Sequence, residues 1–402
     1  MFYLKFEELI SKLNIAPGYP EDLPELYEEV TADTYFCTTE YINNLQEKYE
    51  LFKEDNLNAV LAAANDLMTK KELLLWANLA IKYLKKHTDL YVMGYIPMPE
   101  PDGTLAGDLL MILTELPFAE IIAEKYRQKG FCEDDIKAIL KTFDGCIDIG
   151  RTECGRPSCS KAYFNWNLAY ICGLLFNYGV LSFEIASHAK EAIVLKSKKT
   201  GEYAMMLTMN RFHKSGYVLG SAGLSEEEGA FGPFYEESDT AYTGYLAKNG
   251  KAVNELVTLD KAEWDLVLKP GDPVVYIHIP RQTDLSPEAV RETLIGAFKI
   301  LRERFPECKA NYFVCRSWLL SVGLYDYLDE NSKIIKFGEI YTRYPILSKG
   351  REFMKFLFPN NWDEPEKLEE KTSLQRKIKK MCLDGKYIYS AGGVVLDDEI
   401  YK

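Results

Sequence analysis

PVVYIHIP (273–280), RQTDLSPEAVRETLIGAFKILRERF (281–305), ANYFVCRSWLL (310–320), SVGLYDYL (321–328) and KIIKFGEIYTRYPIL (333–347) decide the fold of this chain. The first run is an apolar β-strand. An amphipathic helix follows, with Ser286 as N-cap, Pro287 at the first helical position and Glu288 in the first turn. A second β-run, a short helix and a third strand complete the stretch. Where a strand opens into a helix N-terminus beside a neighbouring strand, unpaired N–H groups and the helix dipole favour an anionic cofactor. That order of elements points to an enzyme and leaves its reaction open.

Upstream, the periodicity changes twice. Residues 1 to about 140 read as helix, through FEELISKL, EYINNLQEKYELFKED, LNAVLAAANDLMTK and KELLLWANLAIKYLKKH, each with apolar residues at helical spacing. Two more helical runs follow the rigid Pro97-Met98-Pro99-Glu100-Pro101 loop, the first expected to kink or break at Pro117 and stop at Gly130. After about residue 150 the runs shorten and alternate. Turns are expected at Lys199-Thr200-Gly201-Glu202 and at Asn249-Gly250, the latter a strong hairpin signal. Downstream of the deciding stretch come REFMKFLFP, a capped helix at TSLQRKIKKMCLDG and a last strand at KYIYSAGGVVL. The expected architecture is α+β: a helical domain over 1–145, then a domain over 146–402 with a mixed, mostly antiparallel sheet flanked by helices.

Bulk properties narrow the function. The chain has 402 residues, long enough for two domains. Lys and Arg total 48 against 61 Asp and Glu, a net charge of −13, which argues against nucleic acid as the main partner. No run approaches the length of a membrane span, and MFYLKFEELI lacks the apolar core of a signal peptide. Nine scattered cysteines suggest reduced thiols, so a cytoplasmic location is expected. Metalloprotease, serine-hydrolase, Walker and Rossmann motifs are all missing from the sequence.

The order of elements from Val274 onward resembles the GNAT superfamily of N-acetyltransferases. FVCRSWLL, the following NSKIIKF and the late TSLQRKIKK together resemble a two-domain bacterial family with an N-acyltransferase N-terminal domain and a GNAT-like C-terminal domain. The resemblance implies an acyl-CoA-dependent transferase, with acetyl-CoA or another acyl-CoA as co-substrate, a small-molecule or peptide amine as acceptor, and no metal. One departure matters. The usual pyrophosphate loop reads Q/R-x-x-G-x-G/A, whereas here Arg281-Gln282-Thr283-Asp284-Leu285-Ser286 contains no glycine. Asp284 and Glu288 bring negative charge to the phosphate position, with Arg281 available to offset one of them. A divergent, non-catalytic GNAT-like module that binds a ligand or protein is therefore the second expectation.

The resemblance also assigns residues. Ile279, Arg281, Gln282, Thr283 and Ser286 fall where such a family binds its cofactor. His278, near the end of the fourth strand, is the candidate base, since an imidazole takes up protons near neutral pH. Aligned through Val314, the family's Asn position falls on Ser317, and its Tyr acid position falls on Leu324 with Tyr325 adjacent. Cys315 lies in an apolar strand with no histidine close in sequence, which favours a core role over a nucleophile. The run from Cys154 to Cys159 has no second ligand pair at metal spacing and reads as a turn at the domain junction. The acidic, glycine-rich loop from Ser221 to Asp239 suits a solvated loop better than a phosphate cradle.

Overall fold

Helical structure continues to Ile171. In the computed structural model, which describes residues 4–88, 96–280, 283–358 and 362–401, the chain divides into two compact units, Met1–Phe176 and Asn177–Lys402. The expected boundary at 145/146 falls inside a helix, Thr142–Cys154.

The first unit is built from helices running from α1 (Phe6–Lys12) to α10 (Lys161–Ile171). At its centre is α6 (Leu105–Glu115), buried at every position from Ala106 to Glu115. A largely apolar helix buried all round belongs in a core, and α6 carries Asp108 and Glu115 in with it. The Thr104 side chain caps it, accepting a hydrogen bond from the Gly107 N–H at 3.1 Å. Pro117 ends it through a 3-10 turn at Leu116–Phe118, as the sequence predicts. Helix α10 belongs to this unit because its Asn167 reaches into that core, donating to Glu115 Oε2 at 2.7 Å. Glu50 is a local surprise. It takes a left-handed conformation (φ 54°) and splits the expected 40–55 run into two helices.

Strand β1 (Leu175–Tyr178) spans the point of division, and the second unit contains β2 (Leu181–Ser187), β3 (Ala192–Ser197), β4 (Tyr203–Leu207), β5 (Tyr235–Glu237), β6 (Ala241–Lys248), β7 (Lys251–Asp260), β8 (Trp264–Leu268), β9 (Pro273–His278), β10 (Phe313–Ser317), β11 (Tyr341–Pro345) and β12 (Ala391–Val395). These strands form two sheets. One runs β1-β2-β9-β10-β12-β11; the other runs β5-β6-β4-β3-β8, with β7 paired to β6. Asn249 and Gly250 both take positive φ (49° and 72°) at the β6–β7 hairpin, as a primed turn requires. Every strand contact in the first sheet with a resolved register is antiparallel except β9 with β10, which is parallel.

The two sheets share one core. Val194, Met205 and Leu207 from one meet Val274, Val314, Tyr344 and Val394 from the other. On the opposite face of β9 and β10 lies α11 (Pro287–Arg304), which buries Val290, Leu294, Ala297 and Leu301. Gly392 has a steric reason: a Cβ there would lie 2.3 Å from the Tyr344 ring. Helix α12 (Lys333–Glu339) follows β10, and α13 (Met354–Leu357) and α14 (Ser373–Leu383) lie between β11 and β12. These later helices pack into a second apolar cluster with Trp318, Leu324, Ile335 and Phe353.

Candidate active site

Strands β9 and β10 pair for only two residues, Val275 with Phe313 and Tyr276 with Val314. Beyond that point each strand follows its other neighbour. Ile277 and His278 stay with Phe183 and Ser182 of β2, while Cys315, Arg316 and Ser317 stay with Gly393, Gly392 and Ala391 of β12. The sheet therefore opens between two parallel strands, and a cavity of about 1030 Å³ occupies the gap. Small-molecule sites commonly reach roughly 300–1000 Å³, so the space suits a sizeable ligand.

The lining mixes polar side chains with a larger share of hydrocarbon. Ile277, His278 and Ile279 come from the end of β9, and Thr283 and Leu285 from the loop entering α11. Across the gap stand Cys315, Arg316, Ser317, Trp318 and Leu319, then Lys333 and Ile334 of α12. The segment between β11 and β12 contributes Ile346, Leu347, Phe356, Leu357 and Leu374, with Glu352, Thr372, Gln375 and Ser390 among them, so that much but not all of this surface is hydrocarbon. Such a wall holds an alkyl or pantetheine-like chain by burial, at about 0.8 kcal/mol per methylene.

His278 is held as well as exposed. Its Nε2 lies 2.7 Å from Glu184 Oε2, and the imidazole is 36 % exposed against 12 % for the Glu184 side chain. Glu184 sits on β2, two residues from Ser182, the β-partner of His278. Arg316 pairs with Glu191 at 2.7 Å. Ser317 accepts a hydrogen bond from the Leu319 N–H at 3.1 Å, which leaves its hydroxyl proton available as a donor.

The glycine-free loop is less hostile to an anion than its composition suggests. Asp284 Oδ1 lies 2.7 Å from Lys333 Nζ, and Asp284 also accepts from the Ser286 N–H and hydroxyl. The Lys333 ammonium and those Ser286 donors hold the Asp284 carboxyl below its ordinary range. A cation beside Asp284 is Lys333, 49 residues away; Arg281, the expected one, lies with Gln282 outside the described residues. Ser286 does cap α11 by position, but its side chain turns to Asp284 and makes no capping hydrogen bond.

Of the residues singled out in the sequence, the cavity brings together His278, Ile279, Thr283 and Ser317. Tyr325 is not among the lining residues; it is 39 % exposed and faces Arg343, whose guanidinium carbon is 5.5 Å from the ring centre. Cys315 does line the cavity, but burial pushes its thiol up to about 12, which disfavours the thiolate a nucleophile needs. The Cys154–Cys159 turn lies within the helical unit, where the Cys159 N–H donates to the Asp108 carbonyl on α6. Among the described residues, no group of three or more His, Cys, Asp or Glu side chains is arranged to hold a metal ion. In the Ser221 to Asp239 loop, Glu226 and Glu227 are paired with Lys214 and Arg211.

Glu184 and the apolar wall were missed in the sequence. Glu184 left a trace, as the one charge inside the apolar run LSFEIAS. The wall left little, because Leu319, Ile334, Leu357 and Leu374 belong to four separate segments.

Residues 175–395 match the family model described as the GNAT-like C-terminal domain. Among solved structures, an acyltransferase in complex with CoA and 10C-teicoplanin superposes with a TM-score of 0.66 at 17 % identity, covering 97 % of this chain and 98 % of that one. An acyltransferase in complex with decanoyl-CoA and teicoplanin, and an acyltransferase mutant in complex with octanoyl-CoA, each superpose at 0.65 with the same identity and coverage. At that identity the likeness establishes a shared fold. No curated protein matches the chain.

Proposed function

Since this chain belongs to the family defined by the GNAT-like C-terminal domain, we propose that it is an acyl-CoA-dependent N-acyltransferase acting on an amine of a small molecule or peptide. The observation that carries the proposal is the parting of β9 and β10 around a cavity with an imidazole at one end and hydrocarbon along its wall. A groove filled by side chains would favour a non-catalytic module, and this groove is open. The structural relatives that hold octanoyl-CoA and decanoyl-CoA support a medium-length acyl chain on that wall. The relative that also holds teicoplanin supports a bulky acceptor.

In the proposed reaction the acceptor nitrogen attacks the thioester carbonyl. A C–N bond forms, the C–S bond breaks, and CoA leaves as its thiolate. His278 takes the proton that the attacking ammonium must lose. Ser317 supplies a hydrogen bond on the β10 side, and the proton finally reaches the thiolate. Ile279 and Thr283 flank the CoA arm, with Ser286 at the start of α11. Lys333 stands where the cofactor's phosphates meet the loop, supplying positive charge in place of glycine N–H groups.

Calorimetric titration with CoA, acetyl-CoA and decanoyl-CoA tests the reading. Decanoyl-CoA is expected to bind more tightly than acetyl-CoA. Absence of binding by all three removes the proposal.

A further inference from the structure

The cavity residue that the proposed reaction uses as a base is not alone, and its partner has an unusual position. Glu184 projects from the middle of β2, in a run whose first four residues, Leu181 to Glu184, are all buried. A carboxylate in such a place is costly to desolvate unless a partner offsets it. The partner is His278, with Nε2 at 2.7 Å from Oε2. Strand register creates the pair. Ser182 is opposite His278 and Glu184 is opposite Tyr276, so Glu184 and His278 are diagonal neighbours on one sheet face.

We infer that Glu184 is a positioning residue that fixes the tautomer and orientation of the His278 imidazole at the mouth of the cavity, a role that rests on the acyl-transfer reading above. An ionised carboxylate accepts hydrogen bonds and donates none, so the contact places the ring proton on Nε2 and the lone pair on Nδ1. Proton uptake from the acceptor amine then converts the imidazole to imidazolium, with the new proton on Nδ1, while Nε2–H stays directed at Glu184. The carboxylate stabilises the positive charge that forms. Tyr276, two residues back on the same strand, and Arg316, two residues beyond its β10 partner Val314, share this sheet face. The Arg316 guanidinium is already engaged by Glu191 at 2.7 Å. Glu184 thus supplies the compensating negative charge in direct contact with the ring. The arrangement has the logic of a base held by a third group, reached here on a sheet face rather than through a serine nucleophile.

The chain has four histidines, so the imidazole nitrogens of His278 can be assigned by NMR on ¹⁵N-histidine-labelled protein and its His278→Ala variant. The expected spectrum has a protonated Nε2 and an unprotonated Nδ1. Glu184→Gln replaces the acceptor by an amide that can donate to Nε2, and is expected to shift the ring toward the opposite tautomer. It should also lower kcat for acyl transfer by about 100-fold or more while moving KM for acyl-CoA by less than about twofold. Two results overturn the inference: an Nδ1-protonated ring in the unchanged protein, or a folded Glu184→Gln variant with unaltered kcat. The first does not depend on Glu184→Gln, so it decides the matter even if that variant does not fold. Failure of the broader reading looks different, because the unchanged protein would then transfer no acyl group whatever tautomer it shows.

Discussion

Glu115 and Glu184 are both carboxylates withdrawn from water, one in each unit, and their surroundings make them opposites. Glu184 is 9 % exposed, meets an imidazole and stands beside a cavity. Glu115 is fully buried on α6 and meets the Asn167 amide through Oε2; its Oε1 has no hydrogen-bond partner among the described residues. Burial pushes the Glu115 carboxyl well above its ordinary value. A carboxyl with one neutral donor and no cation is better kept as the acid, whereas one with a basic partner can take part in proton traffic. The difference teaches that burial alone does not mark a functional carboxylate. What it touches does, and whether a ligand can reach that partner.

The largest effect expected from this contrast falls on activity. His278→Ala should reduce kcat by about 10²- to 10⁴-fold, the usual range for loss of a general base, with CoA affinity by calorimetry unchanged. Glu115→Gln should leave kcat within error. An equal loss of activity in both variants would erase the distinction.

The next effect falls on stability and has a definite sign. Because the folded-state value of Glu115 is raised above its reference of 4.5, its protonated form is favoured in the native protein. That contribution is fully present below pH 4.5 and is lost as pH rises through the folded-state value. Within that window the unchanged protein should lose about 1.4 kcal/mol of stability per pH unit from this one group. Glu115→Gln mimics the neutral acid and should flatten that slope, giving a higher melting temperature than the unchanged protein at pH 8. Equal melting temperatures at pH 8, with parallel pH dependence, would count against a protonated Glu115.

The smallest effect concerns a third carboxylate, exposed rather than buried. Asp284 pairs with Lys333 at 2.7 Å, and both side chains are at least half in solvent. Asp284→Asn should release Lys333 toward the cofactor phosphates and tighten CoA binding by about two- to threefold at low salt, with the gain fading as salt screens the charges. Weaker binding would mean that Asp284 holds the loop in shape and that its charge is incidental.

Much of this fold is legible in the residue order. The apolar run 273–280, the Ser286-Pro287-Glu288 helix start and the Asn249-Gly250 turn each carry local rules that tertiary packing did not override. The parting of β9 and β10 is less accessible, because it depends on each strand having a second neighbour, β2 and β12, brought by register from distant parts of the chain. Glu184 joins His278 across 94 positions, and Lys333 meets Asp284 across 49. No local pattern encodes such distances. Tyr325 shows the reverse problem. Its position in sequence suggests an acid, but the 3-10 turn at Val322–Asp326 leaves it outside the lining of the cavity.

Strand β12 has a consequence for how the protein is made. It follows both β10 and β11 in the chain, yet it lies between them, antiparallel to each. Until the ribosome has released residues 391–395, β10 and β11 each present an unpaired edge, and an open edge recruits other chains. The β10 side of the cavity therefore gains its second neighbouring strand only after residues 391–395 have been made. A premature stop within the α14 segment would leave a nascent chain with most of its core residues and a sheet that cannot close, a substrate for chaperones or proteases rather than a partly folded domain.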